Sequence, residues 1–361
     1  MRLLHVHSGN LFGGVETMLL GLKKAEPPEL VQSYALCWQA RFADELAALR
    51  ADIARLPPVH LRNPLQVLRA RAALRKILRD DRPDVIAFHS GWSQLVFATA
   101  ASDEGVSFVR FVHGIPSKLD WMDALAMRHR PRKLICNGEY TERIAARVFP
   151  KIPRAIVRPT VDIEAFAHND EARARVRREL GVDDDTVVIL QVSRLEPWKG
   201  QALLLEALAL LQETIKWRAW IVGGAQRDEE RAFLQRLIEQ AKRLGLEQRV
   251  DFLGERRDVP ALMSGADVFC QPNLTPEPFG VVFVEALAAG LPVVTTHMGG
   301  GATIVGQEVG ELTLADAPSV AGALLRSSRP TERNNRAIER SAQAADLSGA
   351  RSQAQCLRRA L

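Results

Sequence analysis

Short apolar runs rich in Val, Ile, Leu and Phe alternate with helical patterns along most of the chain, and this alternation constrains the fold more than any other feature. Candidate strands lie at residues 3–7, 34–38, 85–89, 108–113, 133–137 and 155–158, and again at 187–192, 218–222, 250–253, 268–271 and 292–295. Val187-Val188-Ile189-Leu190 is apolar at every position. A strand of that kind is buried on both faces, as in a parallel sheet covered by helices. Between the runs, Leu203, Leu204, Ala207, Leu208 and Leu211 form one helical stripe, and Phe233, Leu234, Leu237, Ile238 and Ala241 form another. That periodicity predicts an α/β protein with parallel sheets.

A chain of 361 residues predicts two domains at roughly 100–200 residues each. The break is expected near 159–169, where a strand ends at Pro159 and the polar His168-Asn169-Asp170-Glu171 opens a charged helix. Residues 1–165 and 166–361 are the two expected domains. After residue 316 the strand signals stop, and helical segments follow near 317–327, 331–345 and 348–361.

Composition narrows the class. No apolar run approaches the roughly 20 residues of a membrane-spanning helix. The first eight residues, broken by His5 and His7, read as a strand rather than a signal peptide. Cys37, Cys136, Cys270 and Cys356 are far apart, without metal-ligand or disulfide spacing, and are expected to be reduced and buried. A cytoplasmic location follows from that reading. The net charge of +5 suits nucleic acid, an anionic membrane surface or a phosphorylated ligand. An aromatic share of 6% without basic–aromatic interleaving argues against nucleic acid. The basic residues Arg69, Arg71, Arg75, Lys76 and Arg79, with those in 128–133 and 173–178, fit a solvated helix face or peripheral contact with anionic membrane.

The densest chemical signal is PNLTPEPFGVVFVEALAAGLP, residues 272–292. Glu277 precedes a Pro-Phe-Gly turn, and Glu285 falls in the first turns of the helix beyond it. Gly280 allows close approach of a ligand. The amides of Phe279, Gly280, Val281 and Val282 form a helix N-terminus suited to an anion. Two carboxylates able to accept from vicinal hydroxyls, beside amides able to hold a phosphate, fit a sugar joined to a diphosphate. A second signal, Ser193-Arg194-Leu195-Glu196-Pro197-Trp198-Lys199-Gly200, follows an apolar strand. Ligands of such sheets sit at the carboxyl ends of strands. Arg194 and Lys199 would bring two cations to a departing diphosphate.

The loop Gly9-Asn10-Leu11-Phe12-Gly13-Gly14-Val15-Glu16 follows the first strand but lacks the GxGxxG spacing. Gly13 and Gly14 permit a tight turn, and Glu16 suits the helix dipole as well as a ligand. His113, beside Gly114 at a strand's carboxyl end, is open to a structural or a catalytic role. His5, His7 and His89 also sit on strands and read as core or supporting residues. No metal-ligand grouping is apparent, and Asp183-Asp184-Asp185 reads as a solvated turn.

Taken together, these residues resemble glycosyltransferase family 4, retaining transferases with the GT-B fold. The resemblance runs in order through Gly13-Gly14-Val15-Glu16, His113-Gly114, Arg194 with Lys199-Gly200, Phe252-Leu253-Gly254, Ala266-Asp267-Val268, Glu277-Pro278-Phe279-Gly280, Glu285-Ala286 and Gly290-Leu291-Pro292. It implies two Rossmann-like domains facing across a cleft, with an acceptor-binding domain first and a nucleotide-sugar-binding domain second. It also implies that the final helices cross back to the first domain. Arg194 and Lys199 would hold the donor diphosphate, and Glu277 the transferred sugar with the amides of Phe279, Gly280 and Val281. Glu285 would hold the ribose, and the segment from Gly254 to Arg256 would line the base. His113 would touch the sugar, with Gly14 near the phosphate and Gly13, Gly14 and Glu16 beside the acceptor.

Such enzymes use UDP- or GDP-sugars, here of UDP-glucose type, as co-substrates and need no metal or further cofactor. The acceptor would be a small molecule or a lipid-linked glycan, the latter placing the protein at the inner membrane face. A nucleotide-sugar epimerase of the same fold and a non-enzymatic nucleotide-sugar-binding protein are the alternatives. Two departures from the family pattern stand out. Pro159-Thr160 precede Val161-Asp162, and Gly299-Gly300-Gly301 is followed by Ala302-Thr303 where a glutamate is common.

Overall fold

The computed structural model describes residues 1–10, 12–116, 121–211, 214–225, 227–306, 309–329 and 337–361. It contains two units, Met1–Val161 with Ser348–Leu361, and Asp162–Leu347. The first unit holds seven parallel strands: β1 (Arg2–His7), β2 (Val31–Leu36), β3 (Asp52–Arg55), β4 (Val85–Phe88), β5 (Phe108–Val112), β6 (Lys133–Cys136) and β7 (Arg154–Ile156). Their order is β3-β2-β1-β4-β5-β6-β7. Successive side chains of a strand point to opposite faces. Leu3, Tyr34, Leu36, Ala87, Val109 and Phe111 accordingly share one face, covered by Met18, Leu19 and Leu22 of helix Gly14–Lys24 and by Leu357 and Ala360 of helix Ala350–Ala360. Leu4, Val6, Ile86 and Phe88 occupy the other face, under helices Pro64–Asp81 and Gly91–Asp103.

The second unit is built from six parallel strands: β8 (Val187–Val192), β9 (Trp217–Val222), β10 (Val250–Gly254), β11 (Val268–Gln271), β12 (Val293–Thr296) and β13 (Gly310–Thr313). Their order, β10-β9-β8-β11-β12-β13, reverses direction between β8 and β11. Such a reversal opens a crevice beyond the carboxyl ends of the two strands, where open α/β sheets bind ligands. Both units are thus Rossmann-like.

The division falls at Val161/Asp162 rather than at 165/166, because helix Ile163–Phe166 packs on helices Val259–Gly265 and Val281–Ala288 of the second unit. Of the segments after residue 316, helix Ala317–Ser327 belongs to the second unit and Ser348–Leu361 to the first. Residues 331–336 of the helix expected at 331–345 lie outside the described residues. β3 and β13 carried no apolar signal. Each is four residues long, partly polar, and an edge strand. Cys37, Cys136 and Cys270 are buried, but Cys356 is half-buried, against expectation. Among the described residues no helix is long and apolar enough to cross a membrane.

Asp267, part of the Ala266-Asp267-Val268 block, ties the second unit together. Its carboxylate accepts from Arg173 Nη2 at 2.9 Å, Arg177 Nη1 at 3.2 Å and the Val188 amide at 2.8 Å. It therefore fixes the start of β8 to β11 and neutralises the buried Arg177. Asp267→Ala is expected to cost about 3–5 kcal/mol, since it strands a buried guanidinium. Urea unfolding of the variant measures that loss.

Candidate functional site

Two loops at the β8/β11 crevice carry the site. The first leaves β8 and closes through a 3-10 turn, Pro197–Lys199. Gln191 and Gln201 hold it from below. Gln191 Nε2 donates to the Lys199 carbonyl at 2.8 Å, and Gln201 Nε2 donates to Ser193 Oγ at 3.0 Å and to the Arg194 carbonyl at 2.9 Å. Gly200 has φ +76°, and a Cβ there would lie 1.9 Å from the Pro272 carbonyl oxygen. Only glycine lets this loop meet the second one so closely. The second loop leaves β11, and the Leu274 amide donates to the Trp198 carbonyl at 2.8 Å, joining the two.

Glu277 is the centre of these contacts. Lys199 Nζ donates to its Oε1 at 2.7 Å, while Gln271 Nε2 and Asn273 Nδ2 donate to its Oε2 at 3.1 and 3.0 Å. Lys199 is only 7% exposed, and its ammonium lies 4.0 Å from the centre of the Trp198 ring. A carboxylate with three donors is held in one orientation, and the cation beside it cannot swing away. The glycine run forms the platform. The Gly300 amide donates to the Glu277 carbonyl at 2.6 Å, and Gly299 and Gly300 press on the backbone of Glu277 and Phe279. The absence of the family glutamate after that run thus leaves the support of Glu277 intact.

Gly280, at φ +100°, caps helix Val281–Ala288 in place of a side chain. Phe279 is buried, and the first amides of the helix are presented as a partial positive charge. Glu285 sits in the middle of this helix, half-buried, its carboxylate without a hydrogen-bond partner among the described residues. Burial pushes its carboxyl up to about 7. Between the ordinary carboxylate range and about 7, the folded chain keeps a proton that the unfolded chain has lost, so stability falls as pH rises through that window. Glu285→Gln removes the penalty. The variant is expected to be more stable than the parent by about 1–3 kcal/mol near pH 8 and equal to it near pH 4, as measured by denaturant unfolding at both values.

Arg194, expected at the diphosphate, and Arg256, expected beside the base, are each paired with nearby acids in the structure. The Arg194 side chain is 66% exposed and pairs with Glu196 at 3.0 Å, the acid two residues along its own loop. The Arg256 guanidinium is committed to Asp258, at 2.8 and 2.7 Å, and to Glu179 at 2.8 Å. Gly254 ends β10 at φ +65°, its carbonyl accepting from the Gly223 amide at 2.9 Å.

Sequence reading missed Gln191, Gln201, Gln271 and Asn273, all wholly buried. A usable signal was present, because a glutamine within an otherwise apolar strand must find a hydrogen-bond partner.

The remaining expected residues lie in the first unit. Gly13 precedes helix Gly14–Lys24, and Glu16 reaches back to accept from its amide at 2.8 Å. The other Glu16 oxygen faces His7 Nε2 at 3.3 Å. Glu16 is buried and acts as a helix-capping residue, and burial raises its carboxyl above the usual range. Leu11 lies outside the described residues. His113 follows β5, with Nε2 3.0 Å from His89 Nδ1.

Two parallel Rossmann-like sheets, with a carboxylate–ammonium pair beside a helix N-terminus at the switch point of the second, define the GT-B class of transferase. The family model described as Glycosyl transferases group 1 matches residues 172–342, and the one described as Glycosyltransferase Family 4 matches residues 12–165. The chain belongs to the group 1, family 4 glycosyltransferases. It is 28% identical over 311 residues to EpsF of Bacillus subtilis, a protein assigned to the glycosyltransferases, covering 81% of this chain and 78% of that one. A GDP-mannose-dependent alpha-(1-6)-phosphatidylinositol monomannoside mannosyltransferase of Mycolicibacterium smegmatis is 34% identical over 198 residues, 49% of this chain and 50% of that one. Anabaena Alr3699/HepE in complex with UDP-glucose superposes with a TM-score of 0.84 at 26% identity, over 99% of this chain and 98% of that one.

Proposed function

We propose that this glycosyltransferase moves a hexose from a nucleotide sugar, of UDP-glucose type, to an acceptor hydroxyl with retention, giving an α-glycoside. The observation that carries the reading is the Lys199–Glu277 pair, 2.7 Å apart at the carboxyl ends of β8 and β11. The amides of Phe279, Gly280 and Val281 follow Glu277 in the chain, and Glu285 lies further along the helix that they open. In this reading the amides and Lys199 take the diphosphate, Glu277 the hydroxyls of the sugar and Glu285 the ribose. Arg194 joins the diphosphate on binding by exchanging its exposed ion pair with Glu196 for the phosphate, and Gly254 lies against the base. The first unit takes the acceptor at Gly13 and Gly14.

The bond from the anomeric carbon to the phosphate oxygen breaks while the acceptor oxygen attacks the same face. The acceptor's proton passes to the departing phosphate, whose developing charge Lys199 stabilises. No metal is called on for that charge. The likeness to a protein crystallised with UDP-glucose supports this donor, and the mannosyltransferase relative makes GDP-mannose the second candidate. The acceptor is a small molecule or a lipid-linked glycan, the latter handled at the cytoplasmic face of a membrane.

The test is a binding screen of UDP-glucose, UDP-N-acetylglucosamine and GDP-mannose, followed by an acceptor panel with NMR of the product's anomeric centre. An α-linked glycoside is expected. A β-linked product removes retention, and release of nucleotide with an altered free sugar favours an epimerase. Binding without turnover on any acceptor favours a non-enzymatic role.

A further inference from the structure

Three histidines of the first unit form one hydrogen-bonded row, and a fourth, His7, lies edge-on beside it. Strand alternation places His5 and His7 of β1, His89 after β4 and His113 after β5 on the same face as Tyr34 and Phe111. His5 Nδ1 is 2.9 Å from His89 Nε2, and His89 Nδ1 is 3.0 Å from His113 Nε2. At the inner end His5 Nε2 is 3.0 Å from Gln32 Oε1, and Gln32 Nε2 donates to the Leu22 carbonyl at 3.1 Å. The rings are held by stacking, His5 on Tyr34 at 4.9 Å and His89 on Phe111 at 4.6 Å between centroids. Among the described residues no three His, Cys, Asp or Glu side chains are grouped to hold a metal ion. The imidazoles are partners of one another.

The direction of every bond follows from the buried end. The Leu22 carbonyl can only accept, so Gln32 turns its amide nitrogen there and its oxygen to His5. That oxygen also only accepts, so His5 carries its proton on Nε2. A neutral imidazole has one N–H, which leaves His5 Nδ1 bare and makes His89 Nε2 the donor to it. The same step makes His89 Nδ1 bare and His113 Nε2 the donor. Burial keeps the rings neutral, lowering His5 to about 4 and His113 to about 3, with His89 well below its ordinary value. The outermost ring, His113, is left with an unprotonated Nδ1 that has no partner among the described residues.

We propose that His89, His5 and Gln32 are positioning residues that fix His113 in its Nε2–H tautomer, so that its Nδ1 accepts a hydrogen bond from a substrate hydroxyl. The hydroxyl's identity as that of a sugar rests on the function proposed above; the tautomer does not. His113 is then an acceptor only, unable to donate a proton from the side turned to the ligand.

The test is imidazole ¹⁵N NMR of the full chain with labelled histidine, combined with kinetics. In the unaltered protein His5, His89 and His113 are each expected as the Nε2–H tautomer at neutral pH. His89→Phe keeps a ring but offers no acceptor, so His113 is expected to lose its single tautomer and the KM of the substrate it touches to rise about tenfold, the worth of one hydrogen bond. His89→Asn, whose carbonyl oxygen can stand where Nδ1 stood, is expected to restore both. A His113 found with its proton on Nδ1, or doubly protonated at neutral pH, overturns the proposal without any variant. So does a His89→Phe protein whose His113 signals are unchanged. Absence of transfer from every nucleotide sugar would defeat the proposed function while leaving the tautomer measurement decisive for the relay.

Discussion

Lys199→Ala is expected to lower kcat by about two to three orders of magnitude, the usual loss when one preorganised donor to a developing negative charge is removed. The ammonium is fixed before any ligand arrives, by Glu277 at 2.7 Å and by the Trp198 ring at 4.0 Å. It therefore loses little freedom when the leaving diphosphate gathers charge. Lys199→Arg is not expected to rescue the loss, because a larger guanidinium has little room at a position only 7% exposed and would commit its fork to Glu277 rather than present a compact charge to the phosphate. The fold should survive either change, since Gln271 and Asn273 still donate to Glu277. Steady-state kinetics with circular dichroism decides the matter: a folded Lys199→Ala protein with near-parental kcat would take Lys199 out of the reaction.

Gly299→Ala is expected to cost about a hundredfold or more in kcat/KM, although residue 299 touches no ligand in the proposed reaction. Gly299 has φ +68°, and a Cβ there would lie 2.3 Å from the Glu277 nitrogen and 2.4 Å from its carbonyl oxygen. Those are backbone atoms, so the loop itself must shift and carry the Glu277 carboxylate off Lys199. A displacement on the order of 1 Å in a positioning group is worth about 100-fold. Gly306→Ala is the control. Among the described residues its Cβ would meet nothing within 4 Å, and activity should be unchanged. Parental activity in a folded Gly299→Ala protein would show that the platform does not set the position of Glu277.

The central strands could be read directly, since a strand buried on both faces has no position for a polar residue to interrupt the run. β8 and β11 are of this kind until their carboxyl ends, where Gln191 and Gln271 turn to the loops. Edge strands lack that requirement. β3, Asp-Ile-Ala-Arg, and β13, Gly-Glu-Leu-Thr, are exposed or half-buried at most positions, so nothing in their composition marks them. β2 begins earlier than its apolar run because Gln32 and Ser33 interrupt that run, and Gln32 is buried there because His5 and the Leu22 carbonyl satisfy its two ends. The meeting of Lys199 and Glu277 could be anticipated from two strand-end loops. The exposure of Arg194 could not, since its partner Glu196 is two residues away and competes locally. The glycines at 299–301 read as a lost glutamate motif because their role lies in backbone contact distances, which no residue pattern expresses. The histidines were visible one by one, but register between neighbouring strands, not spacing along the chain, makes them a connected row.

The order in which the chain is synthesised sets a problem for the first unit. Ser348–Leu361 belongs to it, yet emerges from the ribosome only after all of Asp162–Leu347. Leu357 and Ala360 pack in the same core as Leu3, Tyr34 and Phe111. For the whole time that the second unit is being translated, the nascent first unit carries an uncovered greasy face, whereas the second can close its core first. The later-made half should therefore mature ahead of the earlier-made one, inverting the customary N-to-C order. A fragment stopped at Val161 would keep that face open permanently, the kind of surface on which chaperones act and aggregates start.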